Sequence, residues 1–331
     1  MPRVSWLTWR EAMQRALYGP DGFFRREQPA DHFRTSVHAS DLFAVALAEL
    51  AAGCEAEVVI DIGAGRGELL ATLARYRPDL TLVGVELAPH PAGLPDAVAW
   101  TDEIPRGTEH ALVIANEWLD NIPVDVVELD DDRQPRLVHV DPTSGAEKLG
   151  DPVTGQDASW LAEWWPLAGA EPGQRAEIGH PRDAAWAAVV RSLSDGVLVA
   201  ADYSHDRRDR PPYGTIAAYR DGRVVPPVPD GSRDITAHVA LDSCAAAGRA
   251  AGAAATLLTS QRQALRRLGI DAGLPSRGLA SSDPVAYVAA LSRASQAAEL
   301  LDTAGFGGFG WLVQSVRRPL PPALTPDEPA N

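Results

Sequence analysis

Val58-Val59-Ile60-Asp61-Ile62-Gly63-Ala64-Gly65-Arg66-Gly67-Glu68-Leu69-Leu70-Ala71-Thr72-Leu73 passes from an apolar run, through three glycines at alternate positions, into a second apolar run. A strand that breaks into glycines and then opens a helix brings backbone N–H groups close to a ligand, because glycine alone tolerates both the positive φ and the close approach. The alternative is a glycine-rich turn between strand and helix with no ligand. Outward from this stretch, short apolar runs at 57–62, 81–86, 97–100 and 111–115 alternate with helical patterns. Such βαβα alternation predicts a parallel sheet covered on both faces.

The glycine spacing separates two cofactor classes. Dinucleotide-binding loops follow G-x-G-x-x-G. Here the third glycine comes one residue earlier, giving Gly63-Ala64-Gly65-Arg66-Gly67 after the acid Asp61. This resembles the loop of methyltransferases that bind S-adenosylmethionine, a cofactor with an ammonium that an acid can face and a carboxylate that glycine N–H groups can receive. Glu86, at the end of the run Thr81–Val85, is placed to accept hydrogen bonds from ribose hydroxyls. Asp102, after Ala97–Thr101, either reaches the adenine amino group or is a solvated strand cap.

Leu112-Val113-Ile114-Ala115 runs into Asn116-Glu117-Trp118-Leu119-Asp120-Asn121-Ile122-Pro123. Ligands of open α/β sheets bind at the carboxyl ends of strands, so this polar segment is expected beside the cofactor. Glu117 and Asp120, three apart, could grip a guanidinium in a bidentate fork, or could cap the turn that follows. Gly196–Ala201 predicts a fifth strand ending at Asp202-Tyr203, beside that pair, where Tyr203 either lines the acceptor pocket or packs in the core. His238, between apolar residues, reads as a core histidine, and no His or Cys spacing suggests a metal.

Together these residues resemble the MidA family of class I S-adenosylmethionine-dependent methyltransferases, which includes the mitochondrial protein arginine methyltransferase that assists assembly of respiratory complex I. The markers extend over nearly the whole chain: Ala16 to Phe24, Phe33-Arg34-Thr35-Ser36, the glycine loop, Ala115 to Val124, Asp202-Tyr203-Ser204, Gly214 to Arg220, and Asp234 to Val239. The resemblance implies a Rossmann-like sheet with S-adenosyl-L-methionine held by Asp61, Gly63, Ala64, Gly65, Gly67, Glu86, Asp102, Asn116 and Thr35. It implies acceptor chemistry at Glu117, Asp120, Asp202 and Tyr203, and makes His238 part of a family feature. The expected acceptor is an arginine of a protein client; a small-molecule N- or O-methyltransferase, or an assembly factor with little turnover, are the alternatives. Three departures stand out: Asp61 and Ala64 where the family usually has Glu and Pro, His38 near a usual glutamate, and Ser204 where glycine is usual. The last two fall on the expected acceptor side.

The formal net charge is −15, from 30 Lys and Arg against 45 Asp and Glu. With no basic block, a nucleic-acid partner held by electrostatics is not expected, whereas a basic client would be favoured. Cys54 and Cys244 make no disulfide framework, which points to a reducing cytoplasm, and no apolar run is long enough to span a bilayer. The expected organisation is a helical segment over the cofactor at 1–56 and a cofactor-binding core at 57–203 with a hairpin insertion near 124–140. An α-rich acceptor-side insertion follows at 204–300, then a return to the sheet at 301–318 and a mobile tail at 319–331. The Ala-rich segment Cys244–Ala255 reads as one packed helix, either in the core or at a homodimer interface.

Overall fold

The computed structural model describes residues 5–26 and 35–325; His32, Phe33-Arg34 and residues 326–331 lie outside the described residues. Seven strands form the central sheet: β1 (Val58–Ile62), β2 (Thr81–Val85), β3 (Ala99–Thr101), β4 (Ala111–Asn116), β5 (Gly196–Asp202), β6 (Ala255–Ser260) and β7 (Gly310–Val316). Their order is β6-β7-β5-β4-β1-β2-β3, and β7 runs antiparallel to both of its neighbours. Chain order reverses between β1 and β4, the switch point where ligands bind in open α/β sheets. Registers place Ile62 opposite both Val85 and Ala115, and Asn116 opposite Ala201. Gly63, Glu86, Glu117 and Tyr203 therefore leave the sheet along one edge.

Successive apolar residues of each strand serve opposite faces, which explains the unbroken apolar runs. Val59, Leu112, Val197 and Val313 pack with Phe43 and Leu47 of the helix Asp41–Gly53 on one face. Ile60, Val113, Leu198 and Leu312 pack with Trp186 and Val190 of the helix His180–Ser192 on the other.

Asp125–Leu129 and Pro135–Val140 pair antiparallel, as a hairpin insertion would. They go further, joining Leu7–Thr8, Glu147–Pro152 and Arg175–Ile178 in a second, five-stranded sheet. The first helix, Trp9–Tyr18, starts where Thr8 and Glu11 close a reciprocal capping box at its N-terminus. Its Trp9, Met13 and Leu17 pack on Val126 and Val138 of this second sheet.

The Ala-rich segment differs from expectation. Its helix, Leu241–Ala250, stops at the glycine turn around Gly252, and the chain then enters the central sheet as β6. Part of the stretch read as an acceptor-side insertion thus belongs to the sheet. Ala-Thr-Leu-Leu-Thr-Ser, half-buried against β7, is a β-branched edge strand that composition masks beside the alanines. The segment read as a tail also folds back as far as it is described: Leu324 is fully buried in the core over which Leu320 packs.

Candidate active site

Two walls meet at the switch point. The first is the turn after β1. Gly63, Gly65 and Gly67 have φ of +70°, +58° and +74°, and a Cβ on Gly67 would lie 2.8 Å from Leu94 side-chain carbons. Only glycine fits there without strain. The turn is held by Gly63 N–H donating to the Val85 carbonyl (2.9 Å) and Gly67 N–H to that of Ala64 (2.7 Å), and Gly67 then opens the helix Glu68–Tyr76. Glu86 is half-buried at the end of β2, its Oε2 accepting from Gly65 N–H (3.1 Å) and its Oε1 from Leu87 N–H (2.7 Å). Asp61 is buried behind the turn, and burial, followed by the charges of Glu68 and Glu86, drives its carboxyl well above the usual range.

A cleft of about 520 Å³ opens over this wall, in the range of small-molecule sites. Gly63, Gly65, Glu86 and the exposed Asp102 border it, with Trp118 and Tyr18 opposite. A smaller cavity of about 80 Å³ continues past it, bordered by Thr35, Asp61, Ala64, Asn116 and Glu117. Every residue expected to hold the cofactor except Gly67 lines one of these two spaces. Gly67 acts on the backbone, at the helix entry.

The second wall begins where β4 ends. Glu117 sits in the left-handed region (φ +52°), a conformation costing roughly 1–3 kcal/mol in a residue other than glycine and found mainly where function requires it. Its Oε1 accepts from Ser36 N–H (3.1 Å) and from the Asn116 amide (3.0 Å), while Oε2 is buried with no partner. Burial pushes its pKa up to about 8, with Asp120 adding repulsion. Asp120 accepts the Thr236 hydroxyl at Oδ2 (2.6 Å) and leaves Oδ1 buried and unpaired.

Asp202 lies beneath this loop rather than facing the cleft. It is fully buried, and its Oδ2 accepts the N–H groups of Leu119 (3.0 Å) and Asp120 (3.2 Å). That contact makes it a positioning residue for the loop instead of a group in reach of an acceptor. Tyr203 is half-buried between the rings of His238 (5.6 Å, stacked) and Phe309 (4.2 Å), and burial raises its phenol pKa. His238 is half-buried: its backbone N–H donates to Thr215 Oγ1 (2.8 Å), and burial, followed by the Arg182 charge, lowers the imidazole pKa.

Three residues of this wall carried no local signal. Arg182, from the helix His180–Ser192, is 1% exposed and donates to the carbonyls of Asp120 (2.6 Å), Ile122 (3.2 Å) and His238 (2.8 Å). Asp234, inside a family marker but unassigned, accepts from the Asn121 amide (2.9 Å). Thr236 holds Asp120. Four buried acceptor oxygens, on Asn116, Glu117, Asp120 and Asp202, lack a partner among the described residues. A cluster of orphaned acceptors in a folded protein calls for a donor-rich ligand.

Among the described residues, no group of His, Cys, Asp and Glu could hold a metal ion, and no helix is long and apolar enough to cross a membrane. A family model for S-adenosyl-L-methionine-dependent methyltransferases, Methyltransf_28, matches residues 84–259, just over half of the chain. Two solved structures from Burkholderia thailandensis, both of the COG1565 superfamily, resemble the whole fold. One, bound to S-adenosyl-homocysteine, is 28% identical with a TM-score of 0.74, covering 94% of this chain and 88% of its own. The other, a native crystal structure, is 29% identical with a TM-score of 0.75, covering 96% and 89%. No curated protein matches the chain. The family match takes in Glu86 and the strand ends that carry Asp120 and Asp202, and begins after the glycine turn.

Proposed function

The chain belongs to this family of S-adenosyl-L-methionine-dependent methyltransferases, and from that premise we propose that it methylates a guanidinium nitrogen, most simply that of an arginine in a protein client. The class I methyltransferase fold, the methyl-transfer activity and the cofactor follow from the family and its structural relatives; the acceptor is our reading. The single observation that carries it is the pair of unpaired, buried carboxylate oxygens on residues three apart after β4, Glu117 Oε2 and Asp120 Oδ1. A guanidinium brings five N–H donors and a delocalised positive charge, matching that pair better than a hydroxyl or a lone amine.

The residues present fit the cofactor: three left-handed glycines, a cleft of suitable volume, and acids at the ends of β1 and β2. Asp61, Asn116 and Thr35 would hold the methionine end, Glu86 the ribose and Asp102 the adenine. Bound S-adenosyl-L-methionine supplies a methyl carbon activated by its sulfonium. Displacement at that carbon needs the nucleophile held in line, and orientation is the largest contribution the protein can make. Glu117, bordering both the cleft and the smaller cavity, grips the guanidinium through Oε2 while Ser36 and Asn116 fix Oε1. Asp120 is positioned to share the charge. A carboxyl with a pKa of about 8 is also matched to take up the proton the nitrogen loses. Tyr203, flanked by His238 and Phe309, provides an aromatic side for the aliphatic stem.

The test is transfer from methyl-labelled S-adenosyl-L-methionine into a lysate of source cells lacking this protein, with protein and small-molecule fractions counted separately. Label recovered as methylarginine after acid hydrolysis of protein supports the reading. Label confined to small molecules overturns the protein acceptor, and cofactor binding with no label in either fraction turns the account to an assembly role.

A further inference from the structure

Gln261 is fully buried, yet it borders neither cavity of the site. It opens the helix Gln261–Arg267 directly after β6, and its backbone N–H donates to the Phe309 carbonyl (2.8 Å), one step past the β6–β7 ladder. A buried side-chain amide needs an acceptor for its N–H groups and a donor for its oxygen. Here Oε1 accepts from the Trp311 indole (3.0 Å) and Nε2 donates to Ser36 Oγ (3.0 Å). The indole N–H can only donate, so the amide oxygen must face Trp311 and the amino group must face Ser36.

Both partners lead to the acceptor wall. Trp311 lies opposite Ala201 on β5, next to Asp202-Tyr203. Ser36 is fully buried as well and begins the helical turn Ser36–Ala39, whose first N–H groups have no carbonyl of the turn to bind. The Ser36 N–H instead donates to Glu117 Oε1 (3.1 Å). Trp311, Gln261 and Ser36 thus connect the central sheet to the Glu117 carboxylate. The same turn is tied to the helix after the glycines, with His38 Nε2 3.1 Å from Glu68 Oε1. Glu117 holds a left-handed backbone, a conformation that persists only where the surroundings over-determine it. With Oε1 held by Ser36 and Asn116, the carboxylate is fixed in rotation and Oε2 is the oxygen left for a ligand.

We propose that Gln261 is a positioning residue for methyl transfer: acting through Ser36, it fixes the rotation of the Glu117 carboxylate that grips the acceptor. This rests on the reading of Glu117 given above, but the hold on Ser36 can be measured with no acceptor present. Methionine at 261 fills a similar volume and makes neither hydrogen bond, so Gln261→Met releases the Ser36 turn from the sheet while leaving the site's own side chains in place.

The experiment compares the full chain with Gln261→Met, Ser36→Ala and the two combined. Amide hydrogen exchange at Ser36 should be about tenfold faster in Gln261→Met, with a smaller change at Val113 of β4. Label passed from methyl-labelled S-adenosyl-L-methionine into protein and small-molecule fractions together should fall about tenfold, as should ethylguanidinium affinity of the S-adenosyl-homocysteine-saturated protein. Affinity for S-adenosyl-L-methionine should change less than about twofold. Ser36→Ala should give the same losses of label and ethylguanidinium affinity, and the combined variant no more than either, because both remove one contact. Ser36 exchange that quickens no more than that of Val113, or losses that multiply in the combined variant, overturn the proposal. If the wild type binds no ethylguanidinium while Gln261→Met still speeds Ser36 exchange and lowers total label, the positioning role stands and the guanidinium reading falls. Should Gln261→Met fail to fold, Ser36→Ala decides alone: unchanged label and unchanged ethylguanidinium affinity overturn the proposal.

Discussion

The cofactor wall and the acceptor wall adjoin at Glu117, yet they are built by opposite means. The cofactor wall is one βα turn, residues 61–67, with a single acid added from each of the next two strands. Its chemistry comes from backbone conformation, and the side chains of Arg66, Glu86 and Asp102 are open or partly open to solvent. The acceptor wall is assembled across the chain: Asp120 on Thr236, Asn121 on Asp234, Arg182 on Asp120 and His238. Its chemistry comes from buried charge whose hydrogen bonds are incompletely matched. The contrast shows how one fold can keep donor binding constant and remake acceptor recognition, because the two depend on separate sets of interactions.

If that separation is real, substitutions should fall on one side or the other. Glu117→Gln keeps the volume and the Ser36 contact but removes the charge. Transfer should fall by about 10³-fold, within the range for loss of a positioned acid or base, while cofactor affinity changes less than about threefold in calorimetric titration. Gly67→Ala should do the reverse. Its Cβ meets Leu94 at 2.8 Å in a backbone conformation that disfavours alanine, lowering cofactor affinity by roughly tenfold or more and stability by about 1–2 kcal/mol. Thr236→Val strips the one side-chain donor from Asp120, a buried acceptor left unpaired costing about 1–3 kcal/mol; transfer should drop by about tenfold at constant cofactor affinity.

The pH dependence of stability sharpens the comparison further. Glu117 has an ordinary carboxyl pKa of 4.5 unfolded and about 8 in the fold. Its contribution is therefore present at pH below the unfolded value and lost as pH rises toward the folded one. Glu117→Gln should melt a few degrees above wild type at pH 8 and together with it at pH 4.5, a gain in stability accompanying a loss of activity. The smallest effect is expected at Asp102, exposed on the cleft rim. Asp102→Asn should weaken cofactor binding by about threefold at most and leave turnover at saturation unchanged.

The same contrast explains what could be read from the residues alone. Positive-φ glycines, strand-end acids and apolar runs are local, and Gly63 to Arg66, Glu86 and Asn116-Glu117 border the two cavities at the strand ends. Arg182 was not legible, because nothing in His-Pro-Arg-Asp distinguishes an arginine that will be buried under a loop more than fifty residues away. Asp202 was placed at the right strand end but on the wrong side of the loop, since spacing does not say which N–H groups a carboxylate will meet. The edge strand β6 escaped because alanine-rich sequence satisfies a helix pattern and a half-buried edge equally well.

The most direct measurement is a crossed titration: S-adenosyl-L-methionine into wild type, Gly67→Ala and Glu117→Gln, and ethylguanidinium into the same three proteins saturated with S-adenosyl-homocysteine. The account predicts that Gly67→Ala weakens only the first ligand and Glu117→Gln only the second. Loss of both ligands in Glu117→Gln, or ethylguanidinium binding that survives it, would contradict the claim that Glu117 is where a separate cation-binding wall meets the cofactor.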